Sequence, residues 1–563
     1  MAFGAIAARL VQVQALDAER FAAFGESQLL HTITLRTSRG AIFDRNGRDL
    51  ALTINRPTIW ANPRLVTDPF AEAAALAPVL GSDEAGLVER LRSDAAFVYL
   101  ARRVDEVTAQ RVKALQLDGV FLLEGGEPMR FNPAAELAAP LLGIVGIDNT
   151  GLAGLELKYE SVLAGAPGRM VVERDPTGDD IPGGVREFEA ATPGDDLVLT
   201  IDRALQYEAE RALASAIVSY EAAGGVAVVM EVATGEILAL ADLVAGTEGE
   251  PPRPADSVTA LTHVHEPGSV NKMITVAAAL EEGLVSPDDR LSVPYTIQVA
   301  DKTFKEHDFH PTEEWSVTDI VANSSNVGSI MIGQELGKDR LDGYLRRFGF
   351  GERTALAFPG ESRGIMLDPA DWSGTSIGTI PIGQGIAVTA VQMLAAYNTI
   401  ANSGVYVGPK LVRGTVGGDG TMQPTPPSGT RRVVSERTAR QMTGMLTEVV
   451  ERGTGINAAI DGYTVAGKTG TAKKPRRDAR GYEPGAYVST FAGFVPAQRP
   501  ALTAIVMLDE PRGAIYGGTV SAPAFAAITR YGLRQFRVPP VAAGAPVLPT
   551  TTTLAGSNPP ADH

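Results

Sequence analysis

Gly225-Val-Ala-Val-Val-Met-Glu-Val-Ala-Thr-Gly-Glu-Ile-Leu-Ala-Leu240 carries the plainest fold signal in the chain. Two apolar, β-branched-rich runs flank an Ala233-Thr234-Gly235 turn, the pattern of a hairpin at the centre of an antiparallel sheet. Just upstream, Leu197-Val-Leu-Thr-Ile-Asp202 reads as a strand leading into a long helix, Arg203 to Tyr220. Downstream, helical patterns dominate 270–405, and strands return at Tyr463–Lys468, Val488–Val495 and Ala501–Leu508. Runs of strand, then helix, then strand predict an α+β domain rather than a doubly wound parallel sheet. Further upstream, Thr32–Arg36 alternates as a strand, and Asn46-Gly47 marks a hairpin turn. Helices are expected at Pro69–Leu80, Glu84–Leu91 and Val104–Leu115, and Gly- and Asp-rich loops at 175–196. No internal repeat is visible.

The chain has 563 residues, 44% of them hydrophobic and 21% charged, enough for several domains with a large core. No run approaches the roughly 20 apolar residues of a membrane helix, which excludes a polytopic membrane protein. A net charge of −16, from 66 acidic and 50 basic residues, argues against nucleic acid as the main partner. With no cysteine at all, thiolate catalysis, Cys-ligated zinc, iron–sulfur clusters and disulfides are excluded. At the N-terminus, eight apolar residues precede Arg9, too few to span a bilayer. Residues 1–30 read either as an amphipathic helix, with Leu10, Val11, Val13 and Leu16 on one side, or as the outer end of a membrane helix begun upstream. The Pro-, Ala- and Thr-rich tail, 538–563, reads as disordered.

Three short motifs carry chemistry, and each is weak alone. In Glu266-Pro-Gly-Ser-Val-Asn-Lys272, the Pro-Gly turn puts Ser269 at a helix start and Lys272 one turn along the same face. A desolvated lysine can take the proton of a serine hydroxyl and make it a nucleophile. An isolated S-x-x-K is more often an N-cap serine followed by a solvated lysine. Ser324-Ser325-Asn326 sets polar groups inside an apolar helical region, which is costly unless they are used; the bland alternative is a cap or turn. Lys468-Thr-Gly-Thr471 closes the strand-like Tyr463–Gly467. There a lysine can meet a carboxylate, Gly470 allows close approach, and the backbone can pair with an extended peptide. The commoner case for an isolated K-T-G is a strand end running into a turn.

In this order and in these contexts the three motifs match the set found in active-site serine penicillin-recognising enzymes. The chain resembles the class B penicillin-binding proteins over about residues 30–535. Arg39-Gly-Ala-Ile-Phe-Asp-Arg-Asn-Gly-Arg-Asp-Leu-Ala51 looks like the opening motif of their pedestal. Gly151-Leu-Ala-Gly-Leu-Glu156 and the residues to Gly168 look like its closing motif. Thr234-Gly-Glu-Ile-Leu-Ala239, Gly383-Gln-Gly-Ile-Ala-Val-Thr389 with Gln392, and Ser489-Thr-Phe-Ala-Gly-Phe-Val-Pro496 are further matches. Within the class, Arg130-Phe-Asn-Pro, Asp509-Glu-Pro and Tyr516-Gly-Gly look most like the division-specific FtsI type. Elongation- and sporulation-specific relatives share much of this.

The resemblance implies an elongated non-catalytic pedestal, 31–196, and a β-lactamase-like transpeptidase domain, 197–537, with an antiparallel sheet flanked by helices. It also implies cross-linking of peptidoglycan stem peptides outside the cytoplasmic membrane. Ser269 would attack the penultimate D-alanine, with Lys272 as its base. Ser324 would relay a proton and Asn326 would orient Lys272. Lys468 and Thr469 would hold the terminal carboxylate, and the N–H groups of Ser269 and Thr471 would form the oxyanion hole. No cofactor or metal is implied. The implied partners are stem peptides on lipid-linked precursors, β-lactams, a glycosyltransferase and divisome proteins. A single membrane span would precede Arg9, so the true start is expected upstream or the span trimmed. Val270 and Asn271 stand where relatives often carry Thr and Phe.

Other signals are weaker. His263, His265, His307 and His310 have spacings compatible with metal binding, but nothing else supports a site. The basic cluster Lys473, Lys474, Arg476, Arg477 and Arg480 reads as a solvated loop. Arg39 and Glu156 are candidates for a pair tying the two pedestal motifs together, or for two separate surface charges. The rival functions are a hydrolase that gives the acyl group to water and a sensor or scaffold that binds penicillin without turnover.

Overall fold

The computed structural model describes residues 3–4, 30–35, 37–123, 125–174, 180–247, 249–476 and 481–540. Most of the expected N-terminal segment and the tail from residue 541 lie outside the described residues. Among the described residues no helix is long and apolar enough to cross a membrane.

The pedestal is built from short strands and capped helices. Helix Pro69–Leu80 begins where Asp68 accepts from the N–H groups of Phe70 and Ala71, with Pro69 at its first position, and ends at Gly81 (φ +62°). It packs with Glu84–Leu91 and Glu106–Ala114 over a three-stranded sheet of Ile59–Ala61, Val98–Ala101 and Val120–Leu122, burying Ile59, Leu76, Leu87, Leu91 and Leu100. A second sheet pairs Leu30–Leu35 with Gly168–Arg174, and that strand with Asp180–Glu189. The Gly- and Asp-rich segment is therefore a strand over 180–189 rather than a loop. Its partner lies close in sequence, with Met170 opposite Phe188 and Val171 opposite Glu187, and ladder pairing outweighs the low strand propensity.

One six-stranded sheet joins the pedestal to the domain that follows. Strand Asp196–Leu199 runs parallel to Ile42–Phe43 on one side and antiparallel to Val412–Val416 on the other. Side chains reinforce the joint. Asp44 caps its own hairpin, accepting from Asn46 N and Arg48 N, and its other oxygen accepts from Arg203 N. Asp202 caps helix Arg203–Ser219 and accepts from Asn46 Nδ2 at 3.0 Å. Arg45 lies 3.5 Å and Arg413 3.3 Å from Glu236, in the turn of the 225–240 hairpin.

That hairpin is Gly224–Glu231 with Ile237–Val244, and it lies inside a second six-stranded sheet. From one edge the order is Arg253–Pro254, Ile237–Val244, Gly224–Glu231, Leu502–Asp509, Tyr482–Val495 and Ala466–Pro475. Helices Arg203–Ser219 and Ala522–Gln535 cover one face, burying Leu205, Leu213, Phe525 and Ile528. Helices Ala390–Ala401 and Glu436–Glu451 pack against the other. The architecture is α+β: pedestal, then sheet between helical layers. The helical region 270–405 also contains two small antiparallel pairs, Arg290–Val293 with Glu313–Ser316 and Thr296–Val299 with Lys302–Lys305. The strand carrying Lys468 runs on to Pro475, so the third motif opens the strand instead of closing it. Its ladder to Tyr482–Val495 continues through Lys473.

Candidate active site

Gly268–Asn271 forms a 3₁₀ turn that runs straight into helix Lys272–Glu281, whose residues from Lys272 to Leu280 are all buried. Ser269 sits half-buried in the turn, one turn before Lys272. The turn is pinned from behind. Gly268 N donates to Gly383 O at 2.9 Å, and a Cβ on Gly383 (φ +77°) would stand 2.1 Å from Gly268 O, so only glycine fits there. Tyr397 Oη donates to Val270 O, and Asn271 Nδ2 to Ile380 O at 2.8 Å. The two variable positions of the first motif are thus both fixed by hydrogen bonds beneath the serine.

Helix Val317–Ala322 stops at a turn in which Ser324 takes a left-handed backbone (φ +61°), and Ser325 caps the next helix, Asn326–Leu336. The turn faces Lys272, whose Nζ donates to Ser324 O at 2.5 Å and Asn326 Oδ1 at 2.8 Å, with Ser324 Oγ at 3.4 Å. On the opposite side, Ala466–Pro475 is the edge strand of the sheet, with its outer edge toward the serine turn. Contact is close: a Cβ on Gly470 would meet Val270 Cγ1 at 3.1 Å and Pro267 O at 3.3 Å. Lys468 Nζ lies 3.2 Å from Thr469 O, Thr469 Oγ1 meets Thr454 Oγ1 at 2.7 Å, and Gly517 N donates to Thr471 Oγ1.

Lys272 and Lys468 are both wholly buried. Burial pushes Lys272 down to about 7, against an upward pull from Glu306. Lys468 lies well below the ordinary lysine range, first through burial and then through the like charge of Lys272. An uncharged amine held by two oxygens, one turn from a serine hydroxyl, can act as a general base near neutral pH.

All three motifs therefore meet in one cleft. The histidines do not converge: His307 Nε2 lies 3.0 Å from Tyr516 Oη, while His310 stacks on Trp315. Among the described residues no three His, Cys, Asp or Glu side chains gather as a metal site needs. The basic cluster is not the solvated loop expected: Lys473 and Lys474 lie in the strand Ala466–Pro475, Lys474 bonds Asp509 and Glu510, and Arg476 lies 3.8 Å from Glu483. Arg477 and Arg480 lie outside the described residues. Arg39 and Glu156 do pair, at 2.6 Å, and Arg130 Nε joins Glu156 at 2.7 Å. Sequence reasoning missed Glu306, whose carboxylate accepts from Ser325 Oγ, Asn326 N and Val327 N. No spacing or periodicity marks it. It becomes visible only when the hairpin ending at Lys305 folds against the helix start.

Fold and cleft together define a penicillin-recognising serine transpeptidase domain on a pedestal, and comparison with known proteins agrees. Residues 225–530 match the penicillin binding protein transpeptidase domain, and residues 34–199 match the penicillin-binding protein dimerisation domain. The chain is 35% identical to penicillin-binding protein PbpB of Mycolicibacterium smegmatis, covering 95% of this chain and 88% of that protein. It is 32% identical to peptidoglycan D,D-transpeptidase FtsI of Escherichia coli, covering 96% and 91%. Among solved structures, penicillin binding protein 3 of Mycobacterium tuberculosis complexed with ampicillin superposes with a TM-score of 0.71 at 31% identity, over 92% of this chain and all of that one. A peptidoglycan synthetase from Bifidobacterium adolescentis gives 0.74 at 30% identity, over 92% and 99%. The chain belongs to the class B penicillin-binding proteins.

Proposed function

We propose that this protein is the peptidoglycan D,D-transpeptidase of septal wall synthesis, joining stem peptides through an acyl-enzyme on Ser269. The observation that carries the mechanism is the buried Lys272 amine, held on Ser324 O and Asn326 Oδ1 one turn from the serine. Ser269 Oγ attacks the carbonyl carbon of the penultimate D-alanine while its proton passes to Lys272 Nζ. The negative oxygen that forms is met by the N–H groups of Ser269 and Thr471, each worth about 3 kcal/mol in comparable sites. Collapse breaks the bond to the terminal D-alanine, whose nitrogen takes a proton from Lys272 through the Ser324 hydroxyl. An amine from a neighbouring stem then attacks the ester and frees Ser269.

The donor peptide lies along the outer edge of Ala466–Pro475 beside Gly470, whose missing Cβ lets the serine turn pack close against that edge. Thr469 and Lys468 hold its terminal carboxylate, and an arriving carboxylate favours a proton on Lys468. The same groups accept a penicillin, whose strained amide acylates Ser269. We divide the chain into a pedestal of residues 31–196 and a catalytic domain of 197–537, a reading supported by strand Asp196–Leu199, which pairs with strands from both. We assign the division subtype on Arg130-Phe-Asn-Pro and Tyr516-Gly-Gly and on relatives of the FtsI kind. The catalytic domain works outside the cytoplasmic membrane on lipid-linked precursors, with a single span ahead of the pedestal and glycosyltransferase and divisome partners.

Intact-mass measurement after incubation with a penicillin tests this reading. One adduct on the wild type, lasting hours, and none on Ser269→Ala are expected. No adduct on the folded wild type contradicts it, and an adduct lost within minutes points to a hydrolase.

A further inference from the structure

Glu306 lies just beyond the hairpin Thr296–Lys305, outside every motif that the chemistry uses. Its residue is 5% exposed, and its two oxygens are fully engaged. Oε1 accepts from Ser325 Oγ and from Val327 N at 2.9 Å, while Oε2 accepts from Asn326 N at 2.8 Å. Asn326 Nδ2 returns a bond to Lys305 O at 3.2 Å. The end of the hairpin thus grips Ser325, Asn326 and Val327 by four hydrogen bonds. The residues on either side of Ser325 supply the two nearest acceptors of Lys272, Ser324 O and Asn326 Oδ1.

Helix capping alone does not account for this carboxylate. Ser325 Oγ already accepts from Gly328 N, the usual N-cap bond, and the carboxylate adds bonds to the two preceding N–H groups and to the cap hydroxyl itself. A buried carboxylate costs several kcal/mol of desolvation unless it is hydrogen-bonded or faces positive charge. Here three donors satisfy it, Ser325 Oγ, Asn326 N and Val327 N.

We propose that Glu306 is a positioning residue for acyl transfer: it holds the Ser324–Asn326 turn so that Lys272 is aimed at the serine. The inference rests on the reading of Ser269 and Lys272 given above. The charged groups facing Lys272 are Glu306, from the hairpin, and Lys468, from the sheet, while the Ser324–Asn326 turn offers it neutral oxygens. Glu306 raises Lys272 against the larger downward effect of burial, so removing its charge extends the free-amine form to lower pH.

The test is the second-order rate of penicillin acylation from pH 5 to 9 in the wild type, Glu306→Gln, Glu306→Asp and Ser325→Ala, with the melting temperature of each. Acylation of the wild type checks the underlying reading, so failure there is distinct from failure here. Glu306→Gln turns an NH2 group toward N–H donors and is expected to lose about 10- to 100-fold in plateau rate, the scale of one charged hydrogen bond. Its acid limb moves to lower pH, a shift that loss of packing alone would not produce. Glu306→Asp keeps the charge and restores the wild-type limb. Ser325→Ala leaves the charge but loosens the grip, and is expected to lower the plateau with the limb unmoved. A Glu306→Gln plateau within twofold of wild type, or an unmoved limb, overturns the proposal. If that variant does not fold, wild-type acylation by Ser325→Ala overturns it.

Discussion

Two of the regions in which this molecule buries charge do it in opposite ways. In the pedestal, Arg39 is 3% and Glu156 2% exposed, and Arg39 meets both Glu156 and Glu160, while Arg130 holds the second oxygen of Glu156. Two guanidinium groups face two carboxylates, and Arg39 also donates to Asn149 O and Glu156 O. In the cleft, two lysines are buried with one carboxylate, and neutral oxygens receive most of their hydrogen bonds. The first arrangement offsets desolvation by pairing and ties the chain near residue 39 to the helix Gly154–Lys158. The second leaves desolvation largely unopposed, so the amines shed protons. Pairing serves architecture, whereas incomplete pairing makes a base available near neutral pH.

Breaking the chemistry at Lys272 is expected to have the largest effect. Lys272→Met should slow penicillin acylation by about 10²- to 10⁴-fold, the usual contribution of a general base. Its melting temperature should hold or rise, since a poorly compensated amine is replaced by an apolar chain of similar length; stopped-flow acylation and calorimetry would read both. Arg39→Met should do the reverse. It leaves Glu156 with Arg130 as its remaining guanidinium partner and Glu160 with Gly151 N, and is expected to cost the pedestal about 3 kcal/mol in denaturant unfolding. The acylation rate of the folded fraction should stay near that of the wild type.

The contrast also sets a pH dependence of stability. Lys272 lies near 7 when folded and at its ordinary 10.5 when unfolded, so between those values the unfolded chain binds more protons. Stability therefore rises with pH across that window, with a limiting slope of about 1.4 kcal/mol per pH unit for one such group. Thermal melts between pH 7 and 9 should show a smaller rise for Lys272→Met than for the wild type. The smallest effect belongs to the surface: Lys474→Ala removes partly exposed bonds to Asp509 and Glu510, and chemical denaturation should register about 1 kcal/mol or less.

What the sequence made legible was local. The hairpin 225–240, the capped helices at Pro69–Leu80 and Glu84–Leu91 and the three motifs all carry their signals within about a dozen residues. The strand Asp180–Glu189 escaped because its Gly and Pro residues argue for loop, while the ladder that overrides them depends on its partner. Glu306 escaped for a similar reason: Lys-Glu-His is an ordinary polar run until a hairpin lays it against a helix start 20 residues later. The Arg39–Glu156 pair, 117 residues apart, was visible only as two motif residues whose contact could be expected on resemblance. Gly383 shows the same limit, because its need for glycine comes from Gly268 O and not from its own neighbours.

The most direct test is whether Ser269 passes an acyl group from a D-Ala-D-Ala peptide to an amine. Purified protein is incubated with a stem pentapeptide donor and an amine acceptor, and the products are weighed by mass spectrometry alongside Ser269→Ala. The wild type is expected to release D-alanine and form a donor–acceptor amide, and the variant to give neither product. Tetrapeptide alone, made by hydrolysis at any acceptor concentration, or amide formation that survives Ser269→Ala, would contradict it.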